Sequence, residues 1–308
     1  MTLQEILKKK NARLLSVPDK FLSGVEKSQK AVLLKLISLL DRLDVTAGNI
    51  DRSIKNLNTI PGITDTLKND LLSSEYYKQV KEFADEFDIQ KRINDSYFEK
   101  IAPVKSDFAD KILIDAKKAT VTDLLAAPLD ENFLKPIEEI LTQAVSTGSS
   151  WSETLKAIQD YAIGDGEKDG KLLQYSKQIA HDAFAIADRT YSNALADETE
   201  NEFYFYSGGE LPTSRCFCLE RHEQYFHYKE IESWGRAENL GSCRSGDLWA
   251  GANPNTNEKT IFNFAGGFNC QHSIMPVSIF DPPKDVIQRA IEKGYYSPNE
   301  ITLEALGL

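Results

Sequence analysis

Apolar residues recur at helical spacing through most of the chain before Asn201. In DKFLSGVEKSQKAVLLKLISLLDRLDV, Val25, Val32, Leu33, Leu36, Leu39 and Leu40 fall near a 3.6-residue period, which predicts an amphipathic helix. SEYYKQVKEFADEFDIQKRIND and SDFADKILIDAKKATVTDLLAAP repeat the pattern, and Pro128 marks a stop. ENFLKPIEEILTQAVSTGSSWSETLKAIQDYAIG predicts helix, turn, helix. Gly148 suits the first helix's end, and Ser150 with Glu153 three residues on forms a capping box for the second. A long helix is predicted from about Lys171 to Glu198, with Leu172, Tyr175, Ile179, Ala183, Ile186 and Ala187 on one stripe and His181 among polar neighbours.

The pattern changes near Asn201. FYFYSGGE is aromatic and ends in Gly-Gly, which predicts a strand entering a turn. HYKEIESWG predicts a short helix ended by Gly235, while TIFNFAGGFNC and HSIMPVSI predict strands. Between them, RAENLGSCRSGDLWAGANPNTNEKT predicts a loop of a length associated with function or mobility. KDVIQRAIEKG predicts a last helix after Pro282-Pro283, followed by a short tail. The expected fold class is α+β, predominantly α. A helical region over 1–200 is followed by a compact α+β module with short strands over 201–281, then a C-terminal helix and tail over 282–308.

Composition narrows the function classes. The chain has 308 residues, 41% of them hydrophobic, and a net charge of −11. From Asn201 onward 14 acidic residues face 9 basic ones, and the other 33 and 27 precede them, so both parts are acidic. A broad nucleic-acid face needs clustered Lys and Arg and is not expected. The one basic cluster, Lys8, Lys9, Lys10 and Arg13, is expected to be a solvated helix face. No apolar run approaches membrane-spanning length. The opening MTLQEILKKKNARLL predicts a short amphipathic helix and not a signal peptide, because it lacks a long apolar core and a cleavage site. On that reading, four cysteines argue against a secreted disulfide scaffold.

All four cysteines and three of the four histidines lie between Cys216 and His272. The ligand-type side chains there are Cys216, Cys218, His222, His227, Cys243, Cys270 and His272. Zinc needs four tetrahedral N or S ligands, which Cys218, His222, Cys270 and His272 would supply. Neither pair has zinc-finger spacing, although residues two apart on a strand share a face. A Cys–His nucleophile has no local signature here. The pairs at Glu198–Glu200 and Glu230–Glu232 resemble the two-glutamate signature of ADP-ribosyltransferases, and phosphate-loop and dinucleotide fingerprints are absent. The remaining reading is a structural knot. Buried free cysteines would pack as small hydrophobes, His272 would bond a carbonyl or a carboxylate, and Gly266-Gly267 would allow close backbone approach. Cys218 and Cys270 would also suit a disulfide in an oxidising setting.

Two segments taken in order carry a resemblance. TSRCFCLERHEQYFHYKEIESWG is followed about 25 residues later by TIFNFAGGFNCQHSIMPVS. Together they resemble the C-terminal module of Mu F-like phage minor head proteins, the phage head-morphogenesis family. Arg215, Cys218, Phe226, Glu230, Ile231 and Trp234 fit the first half of that signature. Gly266, Gly267, Asn269, Cys270, His272 and Pro276 fit the second. Gln271 stands where the pattern most often has Arg, and Cys216, Cys243 and His222 lie outside it. The resemblance implies a virion protein inside the head at or near the portal vertex, present in several copies, supporting head assembly or genome delivery. It implies the portal protein or major capsid protein as partner, packaged DNA by proximity only, no membrane, and host cytoplasm during assembly. It implies no catalytic residue. Arg215, Cys218, Trp234, Gly266, Gly267, Asn269, Cys270, His272 and Pro276 become a fold lock, with no cofactor expected and zinc as the metal alternative. The enzyme alternative is a metal-dependent hydrolase or nuclease, or a transferase effector.

Overall fold

The computed structural model describes residues 1–199, 201–209 and 211–307. The described chain is predominantly α with an α+β C-terminal portion. Long helices span Leu3–Leu40, Ile54–Leu71, Glu75–Ile101, Asp107–Leu125, Lys135–Thr147, Trp151–Ile163 and Lys171–Ala196. The first helix is much longer than the short one expected from the opening residues. It runs through Pro18 because a continuous apolar stripe, with Ile6, Leu14, Val17, Phe21 and Val25 all buried, outweighs the one backbone bond proline removes.

Cα proximity divides the chain into two compact units that interleave along it. One comprises 1–16, 87–116 and 182–308, the other 17–86 and 117–181. Residues 1–200 therefore contribute to both units.

In the unit of 17–86 and 117–181, local chemistry sets the elements. Gly148 adopts φ 67° at the end of the Lys135–Thr147 helix, and Ser149 N–H bonds the Ala144 carbonyl at 2.9 Å. Ser150 Oγ accepts from Glu153 N–H at 3.2 Å, the N-cap half of the expected capping box, while the Glu153 carboxylate accepts the Ser150 hydroxyl at 2.7 Å instead of its backbone N–H. Buried Asn56 clamps the turn of 44–51, accepting from Asp44 N–H and donating to the Asp44 and Asp51 carbonyls. Phe21 stacks on Phe83 at 4.6 Å, and Tyr76 Oη donates to the Leu124 carbonyl at 3.0 Å.

The unit that contains 182–308 is built on a three-stranded antiparallel sheet. Phe203–Ser207 is its central strand, flanked by Gln224–His227 and Ser273–Val277. Phe203 pairs with His227 on one side and Val277 on the other. Pro276 sits in an edge strand opposite Tyr204, where a missing N–H leaves no central ladder bond unmade, and Tyr97 Oη donates to its carbonyl at 2.7 Å. The Lys284–Glu292 helix lays Val286, Ile287 and Ala290 against Phe203 and Val277. Its amphipathic period places those three residues on one face.

A second sequence expectation is also corrected. TIFNFAGGFNC is not a strand, because Ile261–Phe264 is a single helical turn. Asn257 decides it, accepting from Lys259 and Thr260 N–H through its side chain and from Ile261 N–H through its carbonyl. The 25-residue loop is also ordered by specific ties. It contains the short hairpin of 244–249, and its Cys243 forms a disulfide with Cys216. Reducing this disulfide is expected to lower stability by about 2–4 kcal/mol, since it closes a loop of intermediate length. Denaturant midpoints with and without reductant check this, and the Cys216→Ser/Cys243→Ser variant should match the reduced chain.

Candidate functional site

The two motif segments meet beside the sheet. Cys218 lies in the short helix Cys216–Leu219, and its Sγ stands 3.9 Å from Cys270 Sγ, both thiols buried and free. The disulfide considered for this pair is therefore not formed, and the one disulfide among the described residues joins Cys216 and Cys243. Cys270 Sγ accepts the backbone N–H of Gly266 at 3.2 Å and of His272 at 3.4 Å. His272 Nδ1 lies 4.0 Å from Cys270 Sγ, and its ring stacks on Tyr206 at 5.0 Å. The expected carbonyl or carboxylate partner of His272 is absent among the described residues. Its Nε2 instead faces His222 Nδ1 at 3.4 Å. Cys218, Cys270 and His272 thus converge, whereas His222 stands behind His272.

The electrostatics push the two thiols in opposite directions. The hydrogen bond from Cys218 holds the Cys270 thiol well below its ordinary value, with His272 and Arg189 adding to this against the opposing effect of burial. Cys218, as the donor, is pushed up by that same bond and by burial. Tyr206 is pushed well up by burial and by its neighbours Cys270 and Cys218, and its hydroxyl donates to Cys218 Sγ at 3.5 Å.

Close approach explains the glycines. A Cβ on Gly266 would lie 2.2 Å from Cys218 Sγ, and one on Gly208 would lie 2.5 Å from the His272 ring. Gly267 has φ 94°, and its Cβ would lie 2.1 Å from the Gly251 carbonyl oxygen. The Gly266 carbonyl accepts from Trp249 Nε1 at 2.9 Å and Arg215 Nη1 at 3.4 Å. Asn269 takes φ 55°, with its N–H on Asp182 Oδ1 at 2.6 Å. Trp234 packs against Phe226 and Phe217, and the Arg221 guanidinium covers its ring at 4.7 Å.

Several residues that hold this arrangement were not read from the sequence. Arg189, 2% exposed, donates to the Cys270 carbonyl at 2.9 Å, the His272 carbonyl at 3.1 Å and the Asn263 carbonyl at 2.6 Å. Its only signal was a cation on the apolar side of a long helix. Trp249 stacks on Phe217 at 3.8 Å. Lys10, expected on a solvated face, is fully buried and pairs with Asp188 at 2.6 Å. Its neighbours Lys8 and Lys9 give it the look of a surface residue, but it stands on the inward side of the helix.

The glutamates of the transferase alternative are dispersed in role. Glu230 is buried, accepts from Arg289 Nε and Nη2 at 3.0 and 3.1 Å and from Lys293 at 2.8 Å. Burial pushes its carboxyl up, but those hydrogen bonds and charges prevail and hold it below the usual value. Glu198 accepts from Ser106 Oγ at 3.4 Å, and Glu200 lies outside the described residues. Glu232 lines a cleft of about 710 Å³ with Asp197, Glu202 and Glu258. Neither this cleft nor another of about 730 Å³, around Lys91, Asp95, Asp110 and Tyr191, contains a cysteine or histidine of the motif. The cleft that reaches Cys218, Cys270 and His272 is only about 40 Å³. Such an arrangement can hold a thiolate, an ion or a water, but not an organic substrate.

No family model, no curated protein and no solved structure matches this chain.

Proposed function

We propose that the chain is a structural minor head protein of a tailed phage, placed inside the capsid at the portal vertex and supporting head assembly or genome delivery. One observation carries the reading. The two segments that resemble the Mu F-like signature interlock through Cys218, Gly266, Cys270 and His272, and Arg215 reaches the Gly266 carbonyl. The Gly266, Cys270 and His272 carbonyls are taken by Trp249 and Arg189, which suits a fold lock. On this reading the chain assembles and does not catalyse. Its partner is the portal protein or the major capsid protein, it occurs in several copies per virion, and it meets packaged DNA by proximity. An acidic chain would not adhere to that DNA. No helix of the described residues is long and apolar enough to cross a membrane.

The test is mass spectrometry of purified virions from a phage encoding the chain, with cross-linking to the portal ring. The expected result is stoichiometric recovery and cross-links to portal or capsid subunits. Particles that lack the chain would sink the proposal.

A further inference from the structure

The geometry points to a zinc-class divalent ion bound by Cys218, Cys270 and His272. The two Sγ atoms and His272 Nδ1 all lie within 4.8 Å of one another. The edges from Cys270 are 3.9 Å to Cys218 Sγ and 4.0 Å to His272 Nδ1. Tetrahedral zinc, with Zn–S near 2.3 Å and Zn–N near 2.0–2.1 Å, sets those edges at about 3.8 and 3.6 Å. Along those two edges a contraction of a few tenths of an ångström reaches the zinc values, and the third edge, Cys218 Sγ to His272 Nδ1, lies within 4.8 Å and closes further on binding.

The surroundings are those of a ligand set. Cys270 Sγ already accepts two backbone N–H groups, from Gly266 and His272. To present a lone pair at Nδ1, His272 must carry its proton on Nε2, and His222 Nδ1 stands at 3.4 Å to accept it. His222 thus becomes a positioning residue, not a ligand. Arg189 grips the carbonyls of both Cys270 and His272, fixing the strand that presents them. Two sulfurs and an imidazole select zinc or cobalt over magnesium or calcium.

The fourth position falls to solvent. The cleft of about 40 Å³ is lined by all three ligand side chains with Arg215 and Gln271. A water needs about 10–15 Å³ of such space. The buried Gln271 Oε1, without a partner among the described residues, is available to accept from it. The ion would tie together segments 52 residues apart in sequence. The inference does not rest on the virion role.

The test uses the full chain, purified without reductant under argon, so that the Cys216–Cys243 disulfide stays intact. Cobalt(II) is added and the absorption spectrum recorded. The expected result is a sulfur-to-cobalt charge-transfer band with visible d–d bands, saturating at one equivalent and bleached by zinc. His222→Ala should keep the bands with affinity lowered about 10–100-fold. The Cys216→Ser/Cys243→Ser variant should also keep them, which separates this site from the Cys216, Glu220, Cys243 group. A folded wild-type chain with both thiols reduced and no thiolate–cobalt band overturns the proposal. So does a band that survives Cys270→Ser.

Discussion

Replacing Asp188 by alanine is expected to destabilise its unit by about 3–5 kcal/mol, because it strands a buried ammonium. Lys10 and Asp188 both have side chains with no solvent exposure, 2.6 Å apart. Lys10 Nζ also donates to Asn94 Oδ1 at 2.7 Å and Ser192 Oγ at 3.0 Å. Asp188 in turn accepts from Gln90 and Asn94 at 2.9 Å and from Ser273 at 3.3 Å. Burial already lowers the Lys10 pKa, and the Asp188 charge opposes that shift. Without the carboxylate, Lys10 is expected to shed its proton, so the penalty should shrink as pH rises. The double replacement Lys10→Met/Asp188→Leu should recover most of the loss, since paired apolar groups leave no charge uncompensated. Denaturant titration with hydrogen exchange of this unit's amides measures each variant. A single variant within about 0.5 kcal/mol of wild type, the range of ordinary surface changes, would mean that the network is not closed to water.

The second large effect is a loss of stability on acidification, traced to His227. Its ring is buried, and Nδ1 accepts the Lys229 N–H at 3.2 Å, capping the Tyr228–Ser233 helix. Nε2 has no hydrogen-bond partner, and the nearest carboxylate oxygen, on Glu202, is 3.8 Å away. Tyr228, Tyr295 and Tyr296 pack around the ring, with Lys229 and Glu230 the charges that act on it. Burial, reinforced by Lys229 and opposed by Glu230, pushes its pKa down to about 4 from 6.5. The folded value lies below the unfolded one, so the unfolded chain binds the proton first. The contribution is complete above pH 6.5 and is lost as pH falls toward 4, about 3 kcal/mol in all. Glu230 adds to the loss at lower pH. Its folded pKa is held below 4.5, so its ion pairs with Arg289 and Lys293 stabilise above that value and fade as pH falls through the folded value. His227→Asn keeps a capping side chain and removes the titration. Its stability between pH 7 and 4 should therefore be flatter than that of wild type. Equal slopes in the two proteins would remove His227 as the source.

The readings that held are those set within a few residues. Gly148 ends one helix and Ser150 opens the next, as their chemistry requires, and Phe203–Ser207 and Ser273–Val277 are strands. The strand reading that failed, at Ile261–Phe264, rested on apolar residues too few to distinguish a period of 2 from one of 3.6. There the hydrogen bonds of Asn257 were decisive, and hydropathy does not register them.

The cysteine and histidine cluster was legible as a cluster but not as a geometry. Spacing offered Cys218, His222, Cys270 and His272 as equals. Folding turned His222 to the far nitrogen of His272 and joined Cys216 to Cys243. Arg189 and Asp188, neighbours on one helix, carry no motif. Their partners lie 74 or more residues away. Periodicity, capping and turn chemistry belong to neighbours along the chain and can be read from it. Which buried charge meets which partner, and which sulfur faces which ring, depends on distant segments packing together, and only the tertiary structure decides that.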